Sequence, residues 1–371
     1  GSEMCIRDSF VRMADGNEIR VPKAQTGDAF WGDTVEIEWW QRGRRTTPRV
    51  KRVTKRLREH YVVTVTLVRD YAFGKPSDQK IHTDFFIPAR HLGEATDGDK
   101  VLVALEQWDD PRDQPVGRIV QILGQQGDHE AEMHAILAEF GLPYQFPEEV
   151  EVAARAFVPS DAAKPHGLDP AEVARRRDFR EVLTMTIDPA DAKDFDDALS
   201  LRRCENGNWE VGVHVADVTH YLTPGSILDR EAVHRATSVY LVDRTIPMLP
   251  EVLSNDLCSL RPHEDRFAFS AVFEMTTKAE VVGRWFGRTV IHSDRRFAYE
   301  EAQERLESGE GDHAEELRVL GDLAEKLRRK RFQKGGIDFN TEEVRFQLDE
   351  EGKPLRVVVK QMKEANKLIE D

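Results

Sequence analysis

Asp188, Asp194, Asp196 and Asp197 are four of the five aspartates in the fourteen-residue stretch from Thr186 to Leu199. Carboxylates this close repel one another, and the arrangement is costly unless a cation neutralises it. Hard oxygen ligands with no Cys or His beside them suit magnesium, or manganese, rather than zinc. The stretch is not an EF-hand, whose loop requires Gly at its sixth position and Glu at its twelfth. The competing reading is a solvated acidic turn. The chemistry these residue types point to is metal-dependent phosphoryl transfer or phosphodiester hydrolysis, in which a cation activates water and offsets phosphate charge.

Such a site needs rigid supports on both sides. The run from Val182 to Ile187 alternates β-branched and flexible apolar residues and predicts a strand. Ala198 to Arg203 and Trp209 to Val215 flank Asn206-Gly207, a dipeptide that favours a tight hairpin turn. The carboxylates are therefore expected on a loop between strands.

The residues from Thr186-Ile-Asp through Asp-Phe-Asp-Asp-Ala-Leu199 closely resemble the active-site signature of the ribonuclease II / ribonuclease R family of exoribonucleases. Further segments are similar to that family in the same order: His214 to Tyr221, Thr237 to Leu241, Ile246 to Pro250, Leu253 to Leu260, and Ala365 to Asp371. The resemblance implies small all-β OB (cold-shock-like) barrels followed by a mixed α+β catalytic domain. It implies a hydrolytic 3′-to-5′ exoribonuclease that takes the 3′ end of single-stranded RNA and releases nucleoside 5′-monophosphates with magnesium. Glu264-Asp265-Arg266 and Ser238 to Leu241 lean towards the ribonuclease R branch, the one associated with structured RNA. The rival from another class is an RNA-binding OB-fold scaffold with an inactive nuclease domain, and a third is a phosphodiesterase for small nucleotides. A scaffold has no physical reason to retain the repulsion among four carboxylates.

By the same resemblance, Asp188 and Asp197 are the expected direct metal ligands, Asp194 completes or orients the set, and Asp196 is a ligand or orients the attacking water. Tyr240 matches the position whose ring packs near the terminal nucleotide, and Phe339 its partner at the other end of the stack; ordinary core packing is the alternative for both. Stacking suits sequence-tolerant holding, at roughly 1–3 kcal/mol per base. His214 and His220 read as structural groups rather than metal ligands, and Asp217 as a residue able to support the site. The family supplies an arginine and a glutamate from a region beyond residue 371 and a further OB domain. The chain, with Gly1-Ser2 at its start and its end inside an amphipathic pattern, is expected to be a fragment, inactive alone.

The length of 371 residues and 40% apolar content allow several ordinary cores. The expected organisation is a partial first barrel at 1–58, a second barrel at 59–127, a helix and linker at 128–176, and the N-terminal part of the catalytic domain at 177–371. Short strand-like runs broken by Gly, Pro and Asp support the barrels. Tyr71, Phe73, Phe85 and Phe86 offer rings for stacking or for the core. Met133, Ile136, Leu137 and Phe140 predict a packing helix, and Leu317, Leu320, Leu323, Ala324 and Leu327 an amphipathic one. A net charge of −15 argues against nucleic acid, yet nine Arg and Lys between Arg42 and Arg58 form a basic run able to meet phosphates. Cys5, Cys204 and Cys258 form no metal-type pair and fit a reducing cytoplasm. No run is long and apolar enough to span a bilayer, and a monomer is expected.

Overall fold

The computed structural model describes residues 8–42, 45–108, 110, 112–143, 145–158, 168–337, 344–349, 352–359 and 362–370. Two compact units divide between Tyr144 and Gln145.

In the first unit, β1 (Asp8–Arg12) and β2 (Glu18–Pro22) form one hairpin, and β3 (Thr34–Arg42) and β4 (Arg45–Lys55) another. Next, β5 (His60–Val68), β6 (Tyr71–Pro76), β7 (Phe85–Ile87), β8 (Asp99–Gln107) and β9 (Val116–Gln125) close a barrel in the order β5-β6-β7-β9-β8. Alternation puts Tyr61, Val63 and Val65 of β5 inside with Phe85, Ile87, Val101 and Val103. Gly117 permits this packing, since a Cβ there would lie 2.3 Å from Val103 Cγ1. Val62 points outward yet is buried, because α1 (His129–Glu139) covers it with Ala135. Of the four rings considered for stacking, Phe85 is in the core, whereas Tyr71, Phe73 and Phe86 cluster half-buried on the outer face, with centroids 5.5–6.2 Å apart. The strand period decides this split.

The basic run also changes meaning in three dimensions. The β3–β4 pairing sets Glu38 against Arg49, and Glu36 against both Lys51 and Arg52, at 2.6–2.7 Å. Arg56 pairs with Asp28 and Asp33, and Arg58 with Asp78. Much of the run is neutralised by acids that a local charge count does not reach.

The second unit is built on a seven-stranded sheet. Its chain order is α2 (Glu148–Arg155), α3 (Pro170–Val173), β10 (Arg177–Asp178), β11 (Thr184–Asp188), β12 (Asp197–Arg203), β13 (Trp209–Ala216), α4 (Ile227–Arg235), β14 (Val239–Tyr240) and β15 (Thr245–Ile246), then β16 (Asp265–Met275), β17 (Val281–His292), β18 (Arg295–Ala298), α5 (Tyr299–Ser308), α6 (Ala314–Gln333), β19 (Val344–Leu348), β20 (Pro354–Val359) and α7 (Glu364–Glu370). The sheet runs β10-β17-β16-β13-β12-β11-β18, antiparallel except where β10 meets β17 and β11 meets β18.

Each face of the sheet carries its own core. Ala198, Ala216, Ala268 and Val272 face α2, α4 and a π-helical turn at Val252–Leu257. Met185, Ile187, Leu201 and Val211 face α5, α6 and α7. Helix α6 buries Leu317, Leu320, Leu323 and Ala324, with Glu315 and Glu316 in its first turn and Lys330 and Arg331 in its last, which suits its dipole. The hairpin between β12 and β13 is wider than a two-residue turn: Arg203 pairs with Trp209, and Cys204 N–H donates to Asn208 C=O. Asn206 Oδ1 accepts from Asn208 N–H, and both Asn side chains donate to Glu274 Oε1, which favours the longer loop. Among the described residues no helix is long and apolar enough to cross a membrane.

Candidate active site

The four aspartates occupy the connection between two adjacent strands. Asp188 ends β11, Asp197 begins β12, and Asp194 and Asp196 lie on the loop between. Buried Phe195 anchors that loop among the apolar residues beneath the sheet. Its N–H donates to Ser259 Oγ at 2.9 Å, and its C=O accepts from Leu260 N–H at 2.8 Å. Ala216 N–H donates to Asp196 C=O at 2.8 Å. At the start of the loop, Arg296 Nη2 donates to the carbonyls of Pro189 and Ala190 at 2.6 and 2.9 Å.

The carboxylates bear the strain that their spacing implied. Asp188 is pushed up to about 7, first by burial and next by the charge of Asp197, with the nearby Thr186 hydroxyl and then the Arg296 guanidinium opposing. Its Oδ2 is buried and has no hydrogen-bond partner. Desolvation raises Asp197. Asp196, at the surface, is raised by desolvation and then by Asp194 and Asp197. A half-buried cluster of like charges with one orphaned oxygen is the electrostatic condition that a bound divalent cation relieves.

The donor set of carboxylate oxygens alone fits a hard cation such as magnesium or manganese. The side chains are not gathered around one point: among the described residues no three His, Cys, Asp or Glu converge on a metal position. One carboxylate oxygen is also engaged elsewhere, because the Tyr240 hydroxyl donates to Asp194 Oδ2 at 2.9 Å. Tyr240 lies on β14 with its side chain exposed, and burial followed by the Asp194 bond pushes its phenol up to about 12. Phe339 lies outside the described residues.

The two histidines stand apart from this chemistry. His214 is fully buried, its Nδ1 2.6 Å from Ser270 Oγ and its Nε2 2.8 Å from Ser200 Oγ. His220 packs its ring on Phe267. Asp217 forms a buried ion pair with Arg176 at 2.7 Å, which braces the end of β13. Residue spacing alone did not point to Ser259 or Arg296. Arg266, noted only as part of a motif, is buried with its Nε donating to Ser259 C=O at 3.0 Å.

Comparison with known proteins agrees with this architecture. Residues 176–371 match the RNB domain and residues 73–147 the cold shock domain. DIS3-like exonuclease 2 of Schizosaccharomyces pombe is 41% identical over 286 residues, covering 72% of this chain and 30% of that protein. Ribonuclease R of Thermotoga maritima is 36% identical over 377 residues, covering 98% of this chain and 51% of that protein. In structure, Mycoplasma genitalium RNase R, solved in complex with ribose methylated single-stranded RNA, aligns with a TM-score of 0.88 at 23% identity, over 98% of this chain and 58% of that one; this is a likeness of fold. The chain thus spans about a third to a half of the length of these relatives. With the RNB domain matched over more than half of its residues and a cold-shock barrel before it, the chain belongs to the ribonuclease II / ribonuclease R family of 3′-to-5′ exoribonucleases.

Proposed function

We propose that this chain contributes the carboxylate half of a hydrolytic 3′-to-5′ exoribonuclease site that shortens single-stranded RNA and releases nucleoside 5′-monophosphates. The observation that carries the reading is the Asp188–Asp197 connection, in which half-buried, mutually repelling carboxylates include Asp188, whose Oδ2 is buried without a hydrogen-bond partner. Magnesium, or manganese in its place, would supply an activated water and offset charge on the attacked phosphate. Asp188, Asp194, Asp196 and Asp197 would hold it. The chain's own contribution is preorganisation: β11 and β12 fix the outer aspartates, and the Ser259, Leu260, Ala216 and Arg296 contacts fix the loop between them. Tyr240, exposed beside Asp194, offers a flat ring to the terminal base, and Phe339 is proposed as the opposite end of that stack. The half-buried Tyr71, Phe73 and Phe86 cluster supports a role for the barrel in holding the strand. A reducing, cytoplasmic setting fits the free thiols of Cys204 and Cys258.

The test uses the full-length protein and a single-stranded RNA labelled at its 5′ end. The expected result is a ladder shortening from the 3′ end, with 5′-monophosphates as products, abolished by EDTA and restored by magnesium. Internal cuts, or RNA binding without any hydrolysis in magnesium or manganese, would refute the proposal.

A further inference from the structure

We propose that Ser259 is a positioning residue that sets the spacing of Asp194 and Asp196; the inference rests on the carboxylate-site reading above. Its hydroxyl accepts from Phe195 N–H at 2.9 Å and donates to Lys193 C=O at 2.8 Å. These two backbone groups belong to the residues on either side of Asp194. One oxygen therefore clips the chain before and after that carboxylate and fixes the peptide leading into Asp196. The next residue, Leu260, reinforces the clip by donating its N–H to Phe195 C=O.

The clip is itself held. Ser259 is 1% exposed, between buried Cys258 and Leu260, so water does not substitute for its hydrogen bonds. Arg266, 2% exposed, donates through Nε to Ser259 C=O and pairs through Nη2 with Glu264, with Asp256 at 3.6 Å. A buried guanidinium needs such partners to offset its desolvation. The segment from Asp256 to Arg266 thus acts as a template against which the aspartate loop is set, although the two lie some sixty residues apart, at a separation of 64 between Phe195 and Ser259. Losing a group that hydrogen-bonds a metal ligand directly typically weakens metal affinity by about 10–100-fold. Ser259 acts through the backbone on either side of Asp194, which places its effect at the lower end of that range.

The experiment compares wild type, Ser259→Ala and Ser259→Thr in the full-length protein. Manganese binding is measured by calorimetry without RNA, and amide exchange at Phe195 in the metal-free protein. Ser259→Ala is expected to bind manganese at least about tenfold more weakly and to exchange the Phe195 amide faster. Ser259→Thr keeps the hydroxyl and is expected to restore both. If the Ala protein does not fold, Ser259→Cys, close in volume but a poor hydrogen-bonder, takes its place with the same expectations. Manganese affinity equal to wild type in the folded Ala or Cys protein overturns the positioning role while leaving the carboxylate site standing. A wild type that neither binds manganese nor hydrolyses RNA overturns the site reading and this inference together.

Discussion

The Tyr240 hydroxyl donates to Asp194 Oδ2 at 2.9 Å, tying the exposed ring of β14 to one of the four carboxylates. A phenol pushed up to about 12 is a poor base at neutral pH, so proton abstraction is not its task. Two roles remain, and they separate by mutation. The ring is a stacking face; the hydroxyl occupies an oxygen that a cation would claim. Tyr240→Phe is expected to leave end-product length unchanged and magnesium half-saturation equal or lower. Tyr240→Ala is expected to change the length at which degradation stops. Sizing the end products of both variants on one single-stranded RNA decides it; identical behaviour of Phe and Ala would remove the stacking role.

Asp196→Asn should separate chemistry from binding. The loop is held at this residue through its carbonyl, which accepts from Ala216 N–H, and Asn keeps that carbonyl. Turnover is expected to fall by at least about a hundredfold, the scale of losing one electrostatic contact to the transition state. RNA affinity should stay near wild type. Single-turnover hydrolysis and a filter-binding titration report the two quantities, and residual turnover of a third or more would exclude the assigned role.

The strain at Asp188 predicts a pH-dependent link between metal and stability. Its carboxyl moves from an ordinary value of 3.8 up to about 7, so the folded state holds the proton more tightly than the unfolded chain. The contribution to stability is full below 3.8 and is lost as pH rises through about 7. Metal-free Asp188→Asn should therefore melt higher than wild type at pH 8, by at least about 2 °C, with the gap closing near pH 4. Magnesium should raise the melting temperature of wild type at pH 8 more than at pH 6, and raise that of the Asn variant less. Thermal scans at these pH values with EDTA or magnesium give the answer; a gap that does not vary with pH counts against strain at this carboxylate.

Parts of this arrangement were legible in the sequence because they depend on near neighbours. The aspartate turn, the strands either side of it and the Leu317–Leu327 stripe of α6 all follow from local period and spacing. The supports of the loop do not. Ser259 and Arg296 reach it from 64 and 107 residues away, with Arg266 behind Ser259, and only folding makes them neighbours. A signal did exist: Ser259 sits among Leu257, Cys258 and Leu260, all buried, and a hydroxyl in such a run must find partners. The pairing of the basic run was hidden for a related reason. Glu36 and Glu38 of β3 lie 11 to 16 residues upstream of the cations they meet and pair through the strand register, while Asp28, Asp33 and Asp78 reach Arg56 and Arg58 from farther along the chain.

Those ion pairs alter what charge removal should do. A free cation that neutralises one phosphate contributes a salt slope of about 0.7 on single strands. Replacing Arg49, Lys51 and Arg52 with Gln should reduce the slope by clearly less than three such contributions, since Glu36 and Glu38 already engage all three. The opposite change is more telling. Glu36→Gln with Glu38→Gln frees the cations and should tighten RNA binding and steepen its salt dependence. Fluorescence anisotropy over a salt series measures both; an unchanged slope in the Glu double variant would show that this hairpin does not meet RNA.

A buried polar row crosses the sheet behind the site and predicts an acid weakness of opposite sign to Asp188. His214 bridges Ser200 and Ser270, and Ser270 Oγ lies 2.6 Å from Thr289 Oγ1, so four strands share one chain of hydrogen bonds. Burial first, and then the Arg177 charge, pull His214 down from 6.5 to about 4. Its folded value is depressed, so this stability is present above 6.5 and lost as pH falls through about 4. His214→Gln keeps a neutral donor and acceptor without a titrating ring, and should flatten the loss of stability over that window. Gly212→Ala tests the same packing sterically, because a Cβ there would lie 2.4 Å from Ser200 Oγ and 2.6 Å from His214 Nε2. It should cost about 1–3 kcal/mol, the usual penalty of overpacking, equally with and without magnesium, since the sheet rather than the aspartate loop is disturbed. Urea titrations of both variants and wild type at pH 7, 5.5 and 4.5 measure these effects. A Gln variant that loses stability with acid as steeply as wild type would show that His214 does not limit the fold.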